Sequence, residues 1–250
     1  DCITSTFELL KTFGLNNYTL TSKNAVMPII YYLYYNNRYE NFSTVTSYKS
    51  DREKIKKWLL TVLVRRVFGA STDSVLTQTR KAFTSDINKA YIEITMSSFP
   101  ANEISENIKL GAVEDDFIEQ LLDLQKDDKY TFSILALLYP NLDYRNNNFH
   151  KDHLHPAARY DELSEDAQSK YPFKVYNSIR NLQMLDTNEN ESKGKKPLNE
   201  WVNANRTPAT RSAFLHNHLI PDVDLSLSNF DQYITERSKL LKNELKKILS

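Results

Sequence analysis

A mainly α chain with a small α+β element is what the sequence predicts, and three observations carry the prediction. Over residues 1–140 apolar side chains recur at helical spacing. From about Asn141 the texture changes to segments rich in Asn, Asp, Pro and Lys around short apolar runs, as loops about short strands produce. A last stretch, Phe230 to Leu249, returns to helical spacing. The expected organisation is a helical domain over residues 1–140, then a second domain over residues 141–250 that closes with a helix. At 250 residues and 40% hydrophobic content, the chain has material for one large core or two modest ones.

In the first domain, Asn24 to Tyr35 is almost continuously apolar and aromatic, with Pro28 in an early turn where a missing amide hydrogen matters least, so a buried helix is expected. Its tyrosines, Tyr31, Tyr32, Tyr34 and Tyr35, are expected to pack. Asp51 to Phe68 sets Ile55, Trp58, Leu59, Val62 and Val67 near helical spacing, and Gly69 supplies a stop. Arg52, Lys54, Lys56, Lys57, Arg65 and Arg66 give that helix a basic face. Further helices are predicted for Ser74 to Phe83, Ile87 to Ser97, Asp115 to Leu124 and Tyr130 to Leu138, the last ended by Pro140. In the second domain, Glu189 to Trp201 reads as one or two short helices interrupted at Gly194 and Pro197. The closing helix carries Ile234, Leu240, Leu241, Leu245 and Ile248 on its apolar side and gathers lysines toward its C-terminal end, where they complement the helix dipole.

Composition narrows the function classes. Lys plus Arg equals Asp plus Glu, 32 each, so any attraction to nucleic acid must come from local patches. The single cysteine, Cys2, excludes an internal disulfide framework and a cysteine-based zinc site, and it suits a reducing cytoplasm. No run approaches the ~20 apolar residues of a membrane helix, and no membrane partner is expected. With only Gly14, Gly69, Gly111 and Gly194, no glycine-rich phosphate loop is present. The start at Asp1 rather than Met makes a piece of a longer chain the expectation.

The residues with most chemistry lie between Asp152 and Trp201. Asp152 stands beside His153 in the segment that ends at Pro156. Asn181 opens the apolar run through Leu185, and Asn190 and Lys193 follow one helical turn apart. A carboxylate and an amide oxygen suit a hard cation such as Mg2+, and a neutral imidazole suits the deprotonation of water, so this order reads as a metal-dependent nuclease site. Adjacent strand residues point to opposite faces, so Asp152 and His153 can share a phosphate only where the strand ends or bulges. Lys193, Lys195, Lys196, Arg206 and Arg211, against Glu200, form a basic window suited to tracking DNA phosphates. A zinc site from His150, His153 and His155 is disfavoured for want of a cysteine or a second cluster nearby. Each residue also has an ordinary reading: Asn181 as a turn cap, Asn190 as a helix start, and the basic window as a solvated face.

These segments, with Pro197 to Trp201, resemble the C-terminal His-Me finger (HNH-type) nuclease domain of GmrSD-like restriction proteins. The Ser22 to Pro28 start, the basic helix before Gly69 and the Phe230 to Arg237 segment are similar to the region around and before that nuclease. The resemblance implies a ββα-metal fold followed by a C-terminal helix, with DNA hydrolysis as the effector part of a modification-dependent restriction or phage-defence protein. Residue by residue, it implies Asp152 and Asn190 as metal ligands, His153 as general base, Asn181 as the residue that orients the base and its loop, and Lys193 as a contact to substrate phosphate. Mg2+, or Mn2+ in its place, is the implied cofactor. DNA is the implied partner, beside an upstream nucleotide-using or specificity domain that this chain does not show; a homo-oligomer stays open. Arg180 departs from the pattern, since the family more often has glycine there. The alternative is a catalytically silent nucleic-acid-binding or scaffolding domain.

Overall fold

The computed structural model describes residues 1–69, 71–83, 96–204 and 206–250. The chain is mainly helical with one small sheet, as the sequence predicts, and it divides into two compact units. The first comprises Asp1–Ala112 with Asp143–Asn146, the second Val113–Leu142 with Asn147–Ser250.

The first unit holds α1 (Cys2–Lys11), α2 (Met27–Tyr35), α3 (Lys49–Val64), α4 (Thr72–Arg80) and α5 (Ala101–Asn107). A 3-10 turn, Lys23–Val26, runs into α2, so Pro28 sits in the first turn of an α-helix as its missing N–H requires. Of the α2 tyrosines expected to pack, Tyr32 is fully buried while Tyr34 stays exposed. The α3 stripe predicted from Ile55, Trp58, Leu59 and Val62 is buried. Three residues of its basic face bond inside the unit: Arg52 donates to the carbonyls of Phe42 and Val45, Lys54 to Ser98, and Arg65 to Gly111. Asp51 is the polar hub, accepting from the Tyr32 hydroxyl (2.5 Å) and the Phe99 amide (2.7 Å). The helix predicted from Ile87 to Ser97 lies, but for its last two residues, outside the described residues. α1 and α5 were not legible in the sequence.

Most helix ends with left-handed backbone among the described residues do without glycine. The stop assigned to Gly69 comes earlier: Arg66 adopts φ 53°, Arg66 N–H bonds the Leu63 carbonyl and Val67 N–H the Val62 carbonyl. The same pair of bonds closes helices at Asn37, Lys109 and Leu219, and only Gly14 does it with glycine. Left-handed backbone costs an L-residue about 1–2 kcal/mol.

The second unit starts with α6 (Asp115–Leu122) and α7 (Thr131–Leu138). The division thus falls after Ala112, whereas the sequence suggested residue 140. The reason is burial: every residue of α7 is buried, and α6 and α7 both pack on the closing helix. β1 (Phe149–His153) follows, then α8 (Glu165–Lys170), α9 (Phe173–Tyr176) and β2 (Leu182–Asp186), which pairs antiparallel with β1 so that Asp152 faces Gln183 and His153 faces Leu182. The Asp186 side chain ends β2 and caps the next helix, α10 (Thr187–Lys193), by accepting from the Glu189 amide at 2.9 Å. Gly194, at φ 49° and ψ −127°, ends α10, and Pro197 opens α11 (Leu198–Asn203), the interruption the sequence predicted. After α12 (Pro208–Asn217), α13 (Phe230–Leu249) closes the fold. Its buried stripe is Phe230, Tyr233, Ile234, Arg237, Leu241, Leu245 and Leu249; Leu240 and Ile248, expected on it, lie to one side, and Leu240 is 41% exposed. The core gathers Leu154, Leu185, Leu198, Trp201, Val202, Leu215, Tyr233 and Ile234.

Arg237 is fully buried yet pairs with no carboxylate among the described residues. All five of its N–H groups are used: on the carbonyls of Arg180 (2.9 Å), His218 (2.9 Å), Leu219 and Leu182 (2.7 Å), and on the Tyr139 hydroxyl (3.2 Å).

Lys109→Gly tests the helix-end account. The side chain is exposed and the backbone left-handed, so removing it should stabilise the protein by about 0.5–1 kcal/mol in urea denaturation. A loss of stability would contradict it.

Candidate functional site

The site region is two antiparallel strands followed directly by a helix, with α10 packed on both β1 and β2. Alternation along β1 sorts its side chains. His150 and Asp152 turn toward α10, His150 Nε2 meeting Thr187 Oγ1 at 3.1 Å and Asp152 Oδ2 meeting Lys193 Nζ at 2.9 Å. Lys151 and His153 turn to the other face, Lys151 donating to the Lys126 carbonyl and His153 Nε2 lying 2.8 Å from Asn177 Oδ1. Asp152 and His153 therefore hold opposite faces and share only the end of the strand. They remain electrostatically close: the charges of Asp152 and Lys193 both act on the His153 ring.

Burial is the largest influence on His153, pushing its pKa below 6.5 against the opposing hydrogen bond from Asn177. Burial thus favours the neutral ring. Its Nε2 is engaged, and Nδ1 forms no hydrogen bond among the described residues.

Lys193, expected at substrate phosphate and in the DNA-binding patch, is a correction. Its side chain is fully enclosed, and the ammonium donates to the His153 carbonyl (2.6 Å), pairs with Asp152 and lies 5.7 Å from the Trp201 ring centre. Its long stem follows the buried face of α10, and Asp152 is the anion within reach. Burial lowers its pKa, while Asp152 raises it.

Asn181, expected to orient the base, does only half of that. It lies in the right-handed 3-10 turn Ile179–Asn181, one residue before β2, a turn in which Arg180 needs no glycine. Its amide accepts from the His155 N–H (3.0 Å) and the Tyr233 hydroxyl (3.2 Å) and donates to the carbonyls of His155 (3.0 Å) and Tyr176 (3.1 Å). It fixes the loop after β1; Asn177 is the group that touches the base. Asn190 sits one turn before Lys193 on α10, partly buried, and its side chain forms no hydrogen bond among the described residues.

Within the rest of the basic window, Arg206 and Arg211 are engaged by the fold itself. Arg206 donates to the carbonyls of Trp201 (2.5 Å), Val202 (3.1 Å) and Ala204 (3.2 Å) and stacks 3.8 Å from the Phe214 ring centre, because the free carbonyls ending α11 attract a guanidinium. Arg211 pairs with Asp222 at 2.7 Å and donates to Asn203 at 3.0 Å. Lys195 and Lys196 remain exposed, with Lys196 donating to the Ser192 carbonyl.

Sequence reasoning missed four polar groups. Asn177 reaches His153 from the end of α9, and its Nδ2 donates to Gln125 Oε1 at 3.2 Å. Gln183 stands opposite Asp152, its Nε2 donating to Asp152 Oδ2 at 3.4 Å and its Oε1 lying 3.0 Å from His218 Nδ1. The strand register alone would have found Gln183; nothing local marks Asn177. The three nearby histidines do not converge, since His155 packs between Tyr233 and Phe230, and no group of three or more His, Cys, Asp or Glu suited to a metal exists among the described residues.

Two oxygens named as metal ligands by the resemblance have no hydrogen-bond partner. Asp152 Oδ1 and the Asn190 amide oxygen are uncommitted among the described residues. The neighbouring Lys193 ammonium opposes the charge of a cation there. No family model and no curated protein matches the chain.

Two predictions follow from burial. Lys193→Met should cost about 3 kcal/mol by stranding a half-enclosed carboxylate, and adding Asp152→Asn should recover part of it; a surface phosphate contact would cost less than about 0.5 kcal/mol. Urea titration of both variants decides. His155 and His218 are driven down by burial from 6.5 to about 3 and about 4. The unfolded chain then binds protons that the folded state refuses, so their stabilising contribution is present above about pH 6.5 and is lost as pH falls toward those values. His155→Phe should flatten the acid limb of stability against pH; an unchanged slope would contradict this.

Proposed function

We propose that the chain hydrolyses DNA phosphodiester bonds with divalent-metal assistance, His153 acting as general base. The observation that carries this reading is the His153 imidazole at the end of β1, its Nε2 held by Asn177 Oδ1 and its Nδ1 without a hydrogen bond among the described residues, next in sequence to Asp152 in a strand–strand–helix unit. His153 takes a proton from water as the water oxygen bonds phosphorus. One ester P–O bond breaks, and the leaving oxygen is protonated from solvent. Lys193 holds the Asp152 carboxylate in place and, through its bond to the His153 carbonyl, ties the base's backbone to the same point. Asp152 and Asn190 would hold the cation, Mg2+ or Mn2+, whose Lewis acidity would stabilise charge on the phosphate oxygens.

The resemblance to GmrSD-like effector domains extends the reading to restriction or phage defence in the cytoplasm, working with a separate nucleotide-using or specificity domain. A second reading, a silent DNA-binding or scaffolding domain, is favoured by one specific observation: the ammonium seated on Asp152 offsets the charge of the carboxylate proposed as a ligand.

Supercoiled plasmid incubated with the chain in Mg2+ or Mn2+ separates the two. Nicking should fall by about 100-fold or more in His153→Ala, and it should be lost in Asp152→Asn, which keeps an acceptor for Lys193. His153→Ala nicking at the parent's rate would reject the base. Binding without nicking by the parent would select the silent domain.

A further inference from the structure

We infer that Asn177, itself held by Gln125, sets the tautomer of His153 and so makes Nδ1 the atom that accepts the proton from water. The inference rests on the hydrolytic reading for its catalytic consequence but not for its geometry. It begins at Gln125. That side chain's NH2 group donates to the carbonyls of Asp123 (3.0 Å) and Lys174 (2.7 Å), which can only accept, so its amide cannot be turned over without losing both bonds. Its Oε1 is thereby presented to Asn177, whose Nδ2 donates to it at 3.2 Å. Asn177 is thus oriented in turn, and the atom it offers His153 is Oδ1, an acceptor, at 2.8 Å from Nε2.

An acceptor demands a hydrogen on Nε2. A neutral imidazole carries only one N–H, so the lone pair lies on Nδ1. The relay is built on backbone as well as side chains. Gln125 and Ser178 form an antiparallel bridge, Lys126 N–H donates to the Asn177 carbonyl at 3.0 Å, and Ile179 N–H donates to the Leu124 carbonyl at 3.0 Å. Two short side chains on paired backbone lose little freedom in holding the ring, so the tautomer is fixed before any substrate arrives. Asn177 touches the base and not the reacting atoms; it is a positioning residue.

The test reads the tautomer directly. In metal-free protein with 15N-labelled histidine, at mildly alkaline pH, long-range proton–nitrogen correlation distinguishes hydrogen on Nε2 from hydrogen on Nδ1. The parent should show His153 as the Nε2–H form alone. Asn177→Asp keeps an acceptor in place and should preserve that form, whereas Asn177→Leu should give a mixture and Gln125→Ala a smaller shift in the same direction. Single-turnover plasmid nicking should fall by about 100-fold in Asn177→Leu and return in Asn177→Asp at alkaline pH, where the ring is neutral again. An Nδ1–H form in the parent, or an unmixed Nε2–H form in folded Asn177→Leu, would overturn the inference. A parent that shows the Nε2–H form but never nicks DNA would support the positioning and reject the hydrolytic reading alone.

Discussion

The second unit is organised around a buried positive charge that no carboxylate among the described residues answers. The Arg237 guanidinium is tolerated because four carbonyls and a phenol take its five hydrogens, each dipole supplying part of what a counter-ion would. Its carbonyl partners come from two places far apart in sequence. Arg180 and Leu182 flank Asn181 at the mouth of β2, and His218 and Leu219 follow α12, where Leu219 sits in left-handed backbone and frees those carbonyls to turn inward. Only a planar fork with donors on both sides can reach all of them, so lysine is no substitute. With the residues on either side clamped, Asn181 is left with one orientation, in which its carbonyl receives the Leu154 amide (2.8 Å) and its side chain receives that of His155. That arrangement fixes where β1 ends, and therefore where His153 stands.

The candidate site has two sides, each held differently. On the α10 side, a buried ammonium secures Asp152, with Gln183 and His218 extending the network. On the other side, the Asn177 amide holds the His153 ring, and burial favours its neutral form. A carboxylate in Asn177's place would pull the ring toward its charged form more strongly than the amide's hydrogen bond does. The Lys193 pair has a less favourable consequence: it reduces the negative charge available to a cation, so metal affinity in the absence of substrate should be weak.

Much of this was legible in the sequence for local reasons. The stripes of α3 and α6, the apolar run of α7, the Gly194–Pro197 break and the order of strand, strand and helix all come from spacing and turn chemistry within a few residues. What failed needed long-range knowledge. Lysines and arginines counted as a phosphate-tracking window were read by charge alone, whereas Lys193, Arg206 and Arg211 find partners through the fold. Asn181 and Asn177 are the same residue type four positions apart, and only the turn after α9 decides which of them meets His153. The boundary at 140 followed a change of composition, but α6 and α7 bury their apolar faces against α13, which lies at the other end of the chain. Gly69 looked like a helix stop because glycine is the usual one; this chain uses Arg66.

Amide hydrogen exchange in Arg237→Lys puts the clamp to the most direct test, since the variant keeps the charge and removes the fork. The Leu154 and His155 amides, whose acceptors belong to Asn181, should lose protection by opening locally, with free energies well below that of global unfolding. Amides in the core of α13 should keep protection at the global limit. If Leu154 and His155 instead exchange only with the whole molecule, as in the parent, the end of β1 does not depend on Arg237 and the account is contradicted.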